Sequence, residues 1–255
     1  MSKKKKAKTK RKKIKLFFLI SLTLLVIFFL YAVYFFLSLP DVTYLKNKNP
    51  KTTSLIEQRK KEAVNKGEKL EIRQRWISFD IFPKLLKQTV RISEDAAFYL
   101  HKGIDYYELK EAIKRNWKEG KKVRGGSTIT QQLAKNLFLS TKKSYYRKLK
   151  EFFIAKKLEK NLSKNRIFHL YLNVIELGKG IFGIEAASEY YFKKSVNQLN
   201  LIEIVRLVSV IPKPLRVIPL SNSRYLKWRA NLLLDRLKKY GYITDNQYLQ
   251  AKEVF

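Results

Sequence analysis

The sequence predicts a mainly α-helical domain that follows a single N-terminal membrane-spanning helix. The first observation is an uncharged run of 24 residues, Leu16–Leu39, and a helix needs roughly 20 apolar residues to cross the hydrocarbon core. The second is that helix-capping residues repeatedly precede amphipathic segments, as at Asp105 and Ser144. The third is that only one short segment, Lys69–Phe79, alternates polar and apolar residues as a strand does, which leaves no room for a large sheet.

The composition narrows the classes of function. The chain has 255 residues and a net charge of +34. It has no cysteine, which excludes disulfides, zinc–thiolate sites and thiol nucleophiles. Its only histidines are His101 and His169, so a histidine-based metal site or a Ser-His-Asp triad is poorly supported. Positive charge alone favours nucleic acid, but no nucleic-acid module is present, and a membrane-tied domain has anionic and phosphorylated lipids as simpler partners. We therefore expect no nucleic-acid partner.

The N-terminal region is predicted to anchor the chain. Met1–Lys15 is a basic tail with ten Lys or Arg residues, and the positive-inside rule places it in the cytoplasm and everything after Leu39 outside. A cleaved signal peptide is the alternative, but the apolar run is too long and has no small-x-small cleavage site. Residues 40–70 are interpreted as a juxtamembrane linker with a helix over Thr53–Lys66, and residues 71–255 as the folded domain.

Two helices are predicted in the first part of that domain. Pro83 begins one at its N1 position, and Glu94 falls near its end, where a carboxylate can project into a cleft. Asp105 caps a second helix, Tyr106–Glu119, which Gly120 ends. The apolar stripe expected to face the core on this second helix is Leu109, Ile113 and Trp117. A basic loop, Lys118–Arg124, follows.

The remaining helices are predicted from caps and apolar stripes. In the helix capped by Ser144, the stripe of Leu149, Phe152 and Leu158 leaves Arg147 and Glu151 facing away from the core, as a cleft-facing pair would. The two C-terminal helices are interpreted as structural. The predicted ranges are Thr128–Phe138, Tyr145–Asn161, Lys164–Glu176, Ile184–Phe192, Leu201–Val210, Ser223–Tyr240 and Thr244–Lys252.

Three segments contain acidic, amide and basic side chains that packing of a hydrophobic core does not explain. EDAAFYLHKGID (Glu94–Asp105) begins with two adjacent carboxylates, and a carboxylate beside apolar surface can serve as a general base. RGGSTITQQLAKN (Arg124–Asn136) combines a close-approach glycine pair, a helix start and flanking cations, which suits a phosphate-bearing ligand. RKLKE (Arg147–Glu151) places both bases on the same helix face as the acid.

Each segment also has a plain structural reading. EDAAF fits the first turn of an ordinary helix. GGST fits a loop-to-helix junction. RKLKE fits a solvated i,i+4 ion pair. Their order and spacing carry more information than any one of them.

That order resembles the peptidoglycan glycosyltransferase domain of class A penicillin-binding proteins and of stand-alone monofunctional transglycosylases. Two further blocks match, KNRIFHLYLNVIELGKGIFGIEAASEYYF (Lys164–Phe192) and LVSVIPKPLRVIP (Leu207–Pro219). The resemblance covers about residues 75 to 220, and five blocks in one order are far more specific than a single motif. Because the sequence ends at Phe255 with no room for a transpeptidase domain, the monofunctional form is the closer likeness.

The resemblance implies a lysozyme-like, two-lobed domain that polymerises lipid-linked disaccharide-pentapeptide (lipid II) into glycan strands and releases undecaprenyl diphosphate. It assigns Glu94 as the base that deprotonates the acceptor hydroxyl and Glu151 as a second catalytic glutamate. Lys135, Arg147 and Lys148 match its diphosphate-binding bases. The other substrate-binding residues that it implies are Asp95, Phe98, His101, Arg124, Gly126, Ser127, Thr128, Gln131, Gln132 and Asn136.

The resemblance also implies a divalent cation, Mg²⁺ or Mn²⁺, whose ligands the sequence does not locate. Lipid II, the lipid-linked growing glycan, the bacterial cytoplasmic membrane and a cell-wall synthesis complex are the expected partners. Two alternatives remain. One is a lysozyme-like enzyme that cleaves glycan with Glu94 as general acid. Cleavage of an uncharged glycosidic bond does not need a phosphate-binding site, so Lys135, Arg147 and Lys148 argue against this alternative. The other is a basic membrane-anchored scaffold without catalysis.

Overall fold

The computed structural model describes residues 2–120 and 125–255 and divides the chain into two units, Met1–Pro40 and Asp41–Phe255. The first unit consists mainly of helix α1, Ser2–Leu37. Within α1, Ile14–Leu37 is long and apolar enough to cross a membrane. The predicted N-terminal apolar helix is therefore confirmed.

The second unit is mainly helical, as predicted. Most of its helices begin at a Ser, Thr, Asn or Asp whose side chain accepts a hydrogen bond from the first turn, which explains why the sequence breaks there. Its helices in the described residues are α2 (Ser54–Asn65), α3 (Lys84–Glu94), α4 (Tyr106–Lys118), α5 (Ile129–Phe138), α6 (Tyr145–Asn161), α7 (Lys164–Val174), α8 (Ile184–Phe192), α9 (Leu201–Ser209), α10 (Arg224–Lys239) and α11 (Asp245–Val254).

Helix α5 lies at the centre of this unit. It packs against α2, α6 and α7, and Leu133 and Ala134 are fully buried within it. A capping box of Thr128 and Gln131 fixes its first turn. A second packing layer joins α3 to α9 and α10. Functional side chains on α3, α5 and α10 are thus carried by helices that bury apolar faces, which limits their freedom to move.

A small three-stranded sheet closes one side of the unit. Its strands are β1 (Arg73–Gln74), β2 (Glu176–Gly178) and β3 (Ile181–Phe182), in the order β1-β3-β2. Strand β1 pairs parallel with β3, and β2 pairs antiparallel with it. Gly183 follows with φ +83°, and a Cβ there would lie 2.7 Å from the carbonyl oxygen of Asn173, so this position requires glycine.

The segment expected to be a linker, residues 40–70, is part of the compact unit from Asp41 onward. Thr53 caps α2, and Leu55 and Ile56 pack against Phe182 of β3. On the outer side of α2, Gln58 exchanges hydrogen bonds with Thr141. The apolar residues of α2 are too few to give a clear helical stripe in the sequence, but they are enough to attach it to the core.

The predicted inward stripe of α4 is wrong. Leu109 and Ile113 are exposed, and Trp117 is 85 % exposed. The buried side chain of α4 is instead Ala112. The backbone of Gly126 approaches this helix so closely that a Cβ there would lie 3.3 Å from the Cβ of Ala112. Small residues allow this close approach, and the large apolar side chains of α4 consequently face outward.

The predicted core stripe of α6 is right for Leu158, which is buried, and wrong for Leu149. Leu149 is exposed, whereas Glu151 is buried on the same face as Ile154, Ala155 and Leu158. A carboxylate therefore lies on the buried face of the helix, and the sequence pattern alone suggested the opposite. Such a position is costly for a charge unless partners are close.

Candidate active site

Glu94 is the last residue of α3, and neighbouring side chains bond to both of its carboxylate oxygens. Its Oε1 accepts a hydrogen bond of 2.8 Å from the hydroxyl of Ser93 and lies 3.3 Å from Nη2 of Arg229 on α10. Its Oε2 accepts a hydrogen bond of 3.1 Å from the amide of Gln132 on α5. The side chain is 9 % exposed. Glu94 is therefore a nearly buried carboxylate held in one orientation by two other helices.

The amide of Gln132 is itself oriented by a buried tyrosine. The hydroxyl of Tyr171 on α7 donates to Oε1 of Gln132 over 3.1 Å, which turns the amide nitrogen toward Glu94. Burial raises the pKa of Tyr171 well above its usual value, and the charges of Glu94 and Asp95 raise it further. Tyr171 therefore stays a hydrogen-bond donor over the whole physiological pH range.

Asp95 and His101 connect the segment after Glu94 to the start of α5. Nδ1 of His101 accepts from the backbone N–H of Gly103, so Nε2 donates to the Asp95 carboxylate at 2.9 and 3.1 Å. Oδ2 of Asp95 also accepts a 3.0 Å hydrogen bond from the backbone N–H of Ile129, the first residue of α5. A carboxylate at a helix N-terminus is favoured by the helix dipole. This network fixes Glu94 relative to Gln132.

Glu151 occupies a different electrostatic environment. Nη1 of Arg147 donates to its Oε2 over 2.7 Å, and Lys148 pairs with its Oε1 and with the hydroxyl of Ser127. The ammonium group of Lys135 lies close enough for its pKa to respond to the charges of Glu151, Arg147 and Lys148. One buried carboxylate is thus surrounded by three cations, so the cluster has a surplus of positive charge that suits a polyanion.

Lys135 is partly buried. Burial lowers the pKa of Lys135, and the charges of Arg147 and Lys148 lower it further, while Glu151 and Glu176 act in the opposite direction. An incoming anion stabilises the charged form of a buried lysine more than that of an exposed one. The reason is that charges interact more strongly where water is excluded.

A cavity of about 320 Å³ opens beside these residues. Gln132, Lys135 and Asn136 of α5 form one wall. Its other lining residues are Leu55, Arg59, Thr141, Tyr171, Ile175, Glu176, Ile211, Lys213, Pro214, Leu215 and Arg216. Arg59 makes a bidentate ion pair with Glu176, at 2.6 and 2.8 Å. Of the lining cations, Lys135 was predicted from sequence, and Arg59, Lys213 and Arg216 were missed.

The structure separates the predicted residues into groups. Glu94, Gln132, Lys135, Asn136, Arg147, Lys148, Glu151 and Ser127 lie in or beside the cleft. Other predicted residues are engaged inside the protein: Phe98 is fully buried, and Thr128 and Gln131 cap α5. Gly126 packs on α4. Arg124 lies outside the described residues.

Arg229 contacts Glu94 and was not predicted from the sequence. The C-terminal helices were interpreted as structural, but α10 brings Arg229 to Ser93 and Glu94 at 2.8 and 3.3 Å. A signal was present in the sequence. Arg229 falls on the same helical face as the buried residues Leu226 and Leu233, where a charged side chain needs a partner.

The described residues do not provide a good site for a divalent cation. Asp95, His101 and Asp105 cluster within 4.8 Å. However, Asp95 is occupied by His101 and Ile129, and Oδ1 of Asp105 caps α4 through the backbone N–H of Glu108. These bonds engage both oxygens of Asp95, both nitrogens of His101 and one oxygen of Asp105, so the cluster is mainly a hydrogen-bond network. Glu151 is already flanked by cations, which repel a further one.

Comparisons with known proteins agree on one family. A family model described as "Transglycosylase" matches residues 60–238. A protein of Herminiimonas arsenicoxydans named biosynthetic peptidoglycan transglycosylase is 39 % identical over 223 residues, 88 % of this chain and 95 % of the relative. A Janthinobacterium protein of the same name is 40 % identical over 222 residues, 87 % and 94 %. Penicillin-binding protein 1A from Haemophilus influenzae, a solved structure, matches with 28 % identity over 49 % of this chain and 15 % of that one, at a TM-score of 0.32.

Proposed function

The chain belongs to the transglycosylase family, and from that membership we propose that it is a peptidoglycan glycosyltransferase of cell-wall synthesis. Its proposed substrate is lipid II, which it polymerises into glycan strands with release of undecaprenyl diphosphate. One observation carries the proposal. A single immobilised carboxylate, Glu94, and a cluster of three cations around Glu151 are joined by the same helix, α5, through Gln132 and Lys135.

In the proposed reaction, Glu94 acts as general base. Its carboxylate takes the proton from the 4-hydroxyl of the acceptor sugar as that oxygen bonds to the anomeric carbon of the donor. The bonds from Ser93, Gln132 and Arg229 hold the carboxylate in one rotamer, so little reorganisation is needed in the transition state. A single displacement of this kind inverts the configuration at the anomeric carbon.

The cation cluster is proposed to receive the leaving group. As the new glycosidic bond forms, the bond between the anomeric carbon and the diphosphate oxygen breaks, and the electron pair leaves with the diphosphate. Lys135, Arg147 and Lys148, which lie around Glu151, are proposed to stabilise this developing charge. Asn136 lines the cavity and Ser127 accepts a hydrogen bond from Lys148, and both are proposed to orient the donor.

We propose that the exposed side of α4 contacts the bilayer. Tyr106, Tyr107, Ile113 and Trp117 are exposed there, and Lys110 and Lys114 lie on the same helix. Exposed aromatic side chains beside basic ones are typical of helices that lie in the headgroup region. With α1 as a single-pass anchor, the positive-inside rule puts the N-terminus in the cytoplasm and the catalytic unit on the outer face of the cytoplasmic membrane.

A divalent cation remains a family expectation, and no step above depends on it. The measurements are the melting temperature of the enzyme and its polymerisation of lipid II, each with and without EDTA. Because the carboxylates of the site are already paired with protein donors, we expect EDTA to leave the melting temperature unchanged. Loss of polymerisation alone would show that the reaction needs a divalent cation.

The proposed function is tested by incubating the detergent-solubilised chain with lipid II, wild type beside Glu94→Gln. We expect long, muramidase-sensitive glycan from wild type and none from the variant. Shortening of preformed glycan would instead indicate a hydrolase. Binding of lipid II without any polymer from either protein would indicate a non-catalytic scaffold.

A further inference from the structure

Helix α10 follows the five sequence blocks described above and lies almost entirely within the residues that the family model matches, and it reaches Glu94. Nη2 of Arg229 lies 2.8 Å from the hydroxyl of Ser93 and 3.3 Å from Oε1 of Glu94. The same Ser93 hydroxyl donates to Oε1 over 2.8 Å. These three groups form a closed triangle on one oxygen of Glu94, while Gln132 holds the other oxygen.

From this geometry we propose that Arg229 is a positioning residue of the glycosyl transfer, holding Glu94 in the rotamer in which it accepts the acceptor's proton. The inference rests on the proposed function. Arg229 does not need to touch the substrate. It fixes Oε1, so that Oε2, whose only partner among the described residues is a neutral amide, is the oxygen oriented toward the acceptor.

The burial of Arg229 ties it to Glu94. Its side chain is 12 % exposed, and its Nη2 reaches both the Ser93 hydroxyl and Oε1 of Glu94 from that position. A buried guanidinium group needs an anionic or polar partner. Within the described residues, Glu94 is the carboxylate with which Arg229 forms an ion pair.

The chain contains a matched control for this inference. Arg236 lies seven residues further along α10, and its Nη1 donates to the backbone carbonyl of Ile92 on α3 over 3.0 Å. Arg229 and Arg236 therefore join the same two helices from the same helix face. In this pairing Arg229 contacts the carboxylate of Glu94, whereas Arg236 contacts the backbone carbonyl of Ile92. Substituting Arg236 disturbs the α3–α10 contact while leaving the triangle on Glu94 in place.

The experiment measures kcat and KM for lipid II, together with the melting temperature, in the full chain. It compares wild type, Arg229→Gln, Arg229→Lys and Arg236→Gln. We expect Arg229→Gln to lower kcat by about 10- to 100-fold, a part of the roughly 10²–10⁴ that a general base supplies. Its KM should change little, since the lost interaction acts in the chemical step. Arg236→Gln should keep kcat within about threefold at a similar melting temperature.

The lysine in Arg229→Lys keeps the positive charge but lacks the planar guanidinium group that contacts Ser93 and Glu94 together. We therefore expect its kcat to lie between those of wild type and Arg229→Gln. If Arg229→Gln does not fold, the comparison of Arg229→Lys with Arg236→Gln decides, and equal kcat values in these two overturn the inference. A second test adds Arg229→Gln to Glu94→Gln. With no base left to position, the residual rate should fall by less than about threefold, because residues that act as a unit are non-additive.

Other outcomes overturn the inference just as clearly. They are an equal loss of kcat in Arg229→Gln and Arg236→Gln, a loss confined to KM, and an additive effect in the double variant. Failure of the proposed function is distinguishable from all of these, because then the wild-type chain itself forms no glycan.

Discussion

The two cleft glutamates, Glu94 and Glu151, are both nearly buried, but their surroundings differ in kind. Glu94 is held by a hydroxyl, an amide and one guanidinium group at 3.3 Å. Glu151 is paired with Arg147 at 2.7 Å and with Lys148, and it influences the pKa of Lys135. One glutamate is held mainly by neutral donors that fix its orientation. The other lies within an excess of cations.

This difference separates two chemical tasks. A general base has to accept a proton, so it must be oriented without being fully neutralised by cations. A carboxylate inside a cation cluster is poorly suited to that task, but it can hold the cations in place until a polyanion arrives. The comparison therefore supports the proposal that Glu94 transfers the proton and that Glu151 organises the cations proposed to bind the diphosphate. Each prediction below tests one side of that assignment.

The largest effect is expected for Glu94→Gln. The amide keeps the shape of the side chain but cannot take a proton, so kcat should fall by about 10²–10⁴-fold. Lipid II binding should remain close to that of wild type, because the cation cluster is untouched. Glycan formation and lipid II binding are the two measurements. Glu71→Gln, at an exposed carboxylate, is the control. Strong residual polymerisation by Glu94→Gln would remove Glu94 from the role of base.

Glu151→Gln should affect stability as well as rate. The substitution leaves Arg147 and Lys148 without their carboxylate partner, and we expect the free energy of unfolding to fall by about 2 kcal/mol. Breaking a fully buried ion pair costs about 3–5 kcal/mol. The effect here should be smaller because Lys148 is half-exposed. Urea denaturation measures this. Glu159→Gln, which breaks a pair with Lys164 away from the cleft, is the matched control. If Glu151→Gln had the stability of wild type and lost only kcat, Glu151 would have to act in the chemistry itself.

Lys135→Arg should move the basic limb of the pH–rate profile. Burial lowers the pKa of Lys135, so Lys135 should lose its proton at a lower pH than an ordinary lysine does. The rate of the wild-type enzyme should fall at that lower pH. A guanidinium stays protonated throughout, so the variant should keep its rate to higher pH. Lys160→Arg, at an exposed lysine of α6, is the control. Identical basic limbs in wild type and Lys135→Arg would show that Lys135 does not titrate in the reaction.

The same pKa shift makes a prediction about stability. Between the lowered pKa of folded Lys135 and the ordinary value of 10.5, the unfolded chain binds more protons than the folded one. The contribution of Lys135 to the free energy of unfolding therefore rises with pH in that window.

The sequence named several residues that the structure brings together at the cleft, but it did not give their geometry. Glu94 and Lys135 could be placed because their motifs have a fixed order along the chain. The inward stripe on α4 failed because large apolar residues were assumed to face the core, whereas the close approach of Gly126 to Ala112 turns Trp117 outward. Arg229 was missed for a related reason. Which loop or helix end an inward-facing arginine meets is a tertiary contact, and periodicity within one helix does not contain it.

The smallest effect is expected where the sequence assigned substrate binding and the structure shows a helix cap. The side chain of Gln131 accepts from the backbone N–H of Thr128, and the Thr128 hydroxyl accepts from that of Gln131. Gln131→Ala should therefore lower the free energy of unfolding by about 1 kcal/mol, as loss of a cap does. Per folded molecule, kcat and KM should stay near wild type, whereas Gln132→Ala, one residue later, removes a bond to Glu94 and should lower kcat. A rise in KM for Gln131→Ala at unchanged stability would instead show that Gln131 binds substrate, as the sequence predicted.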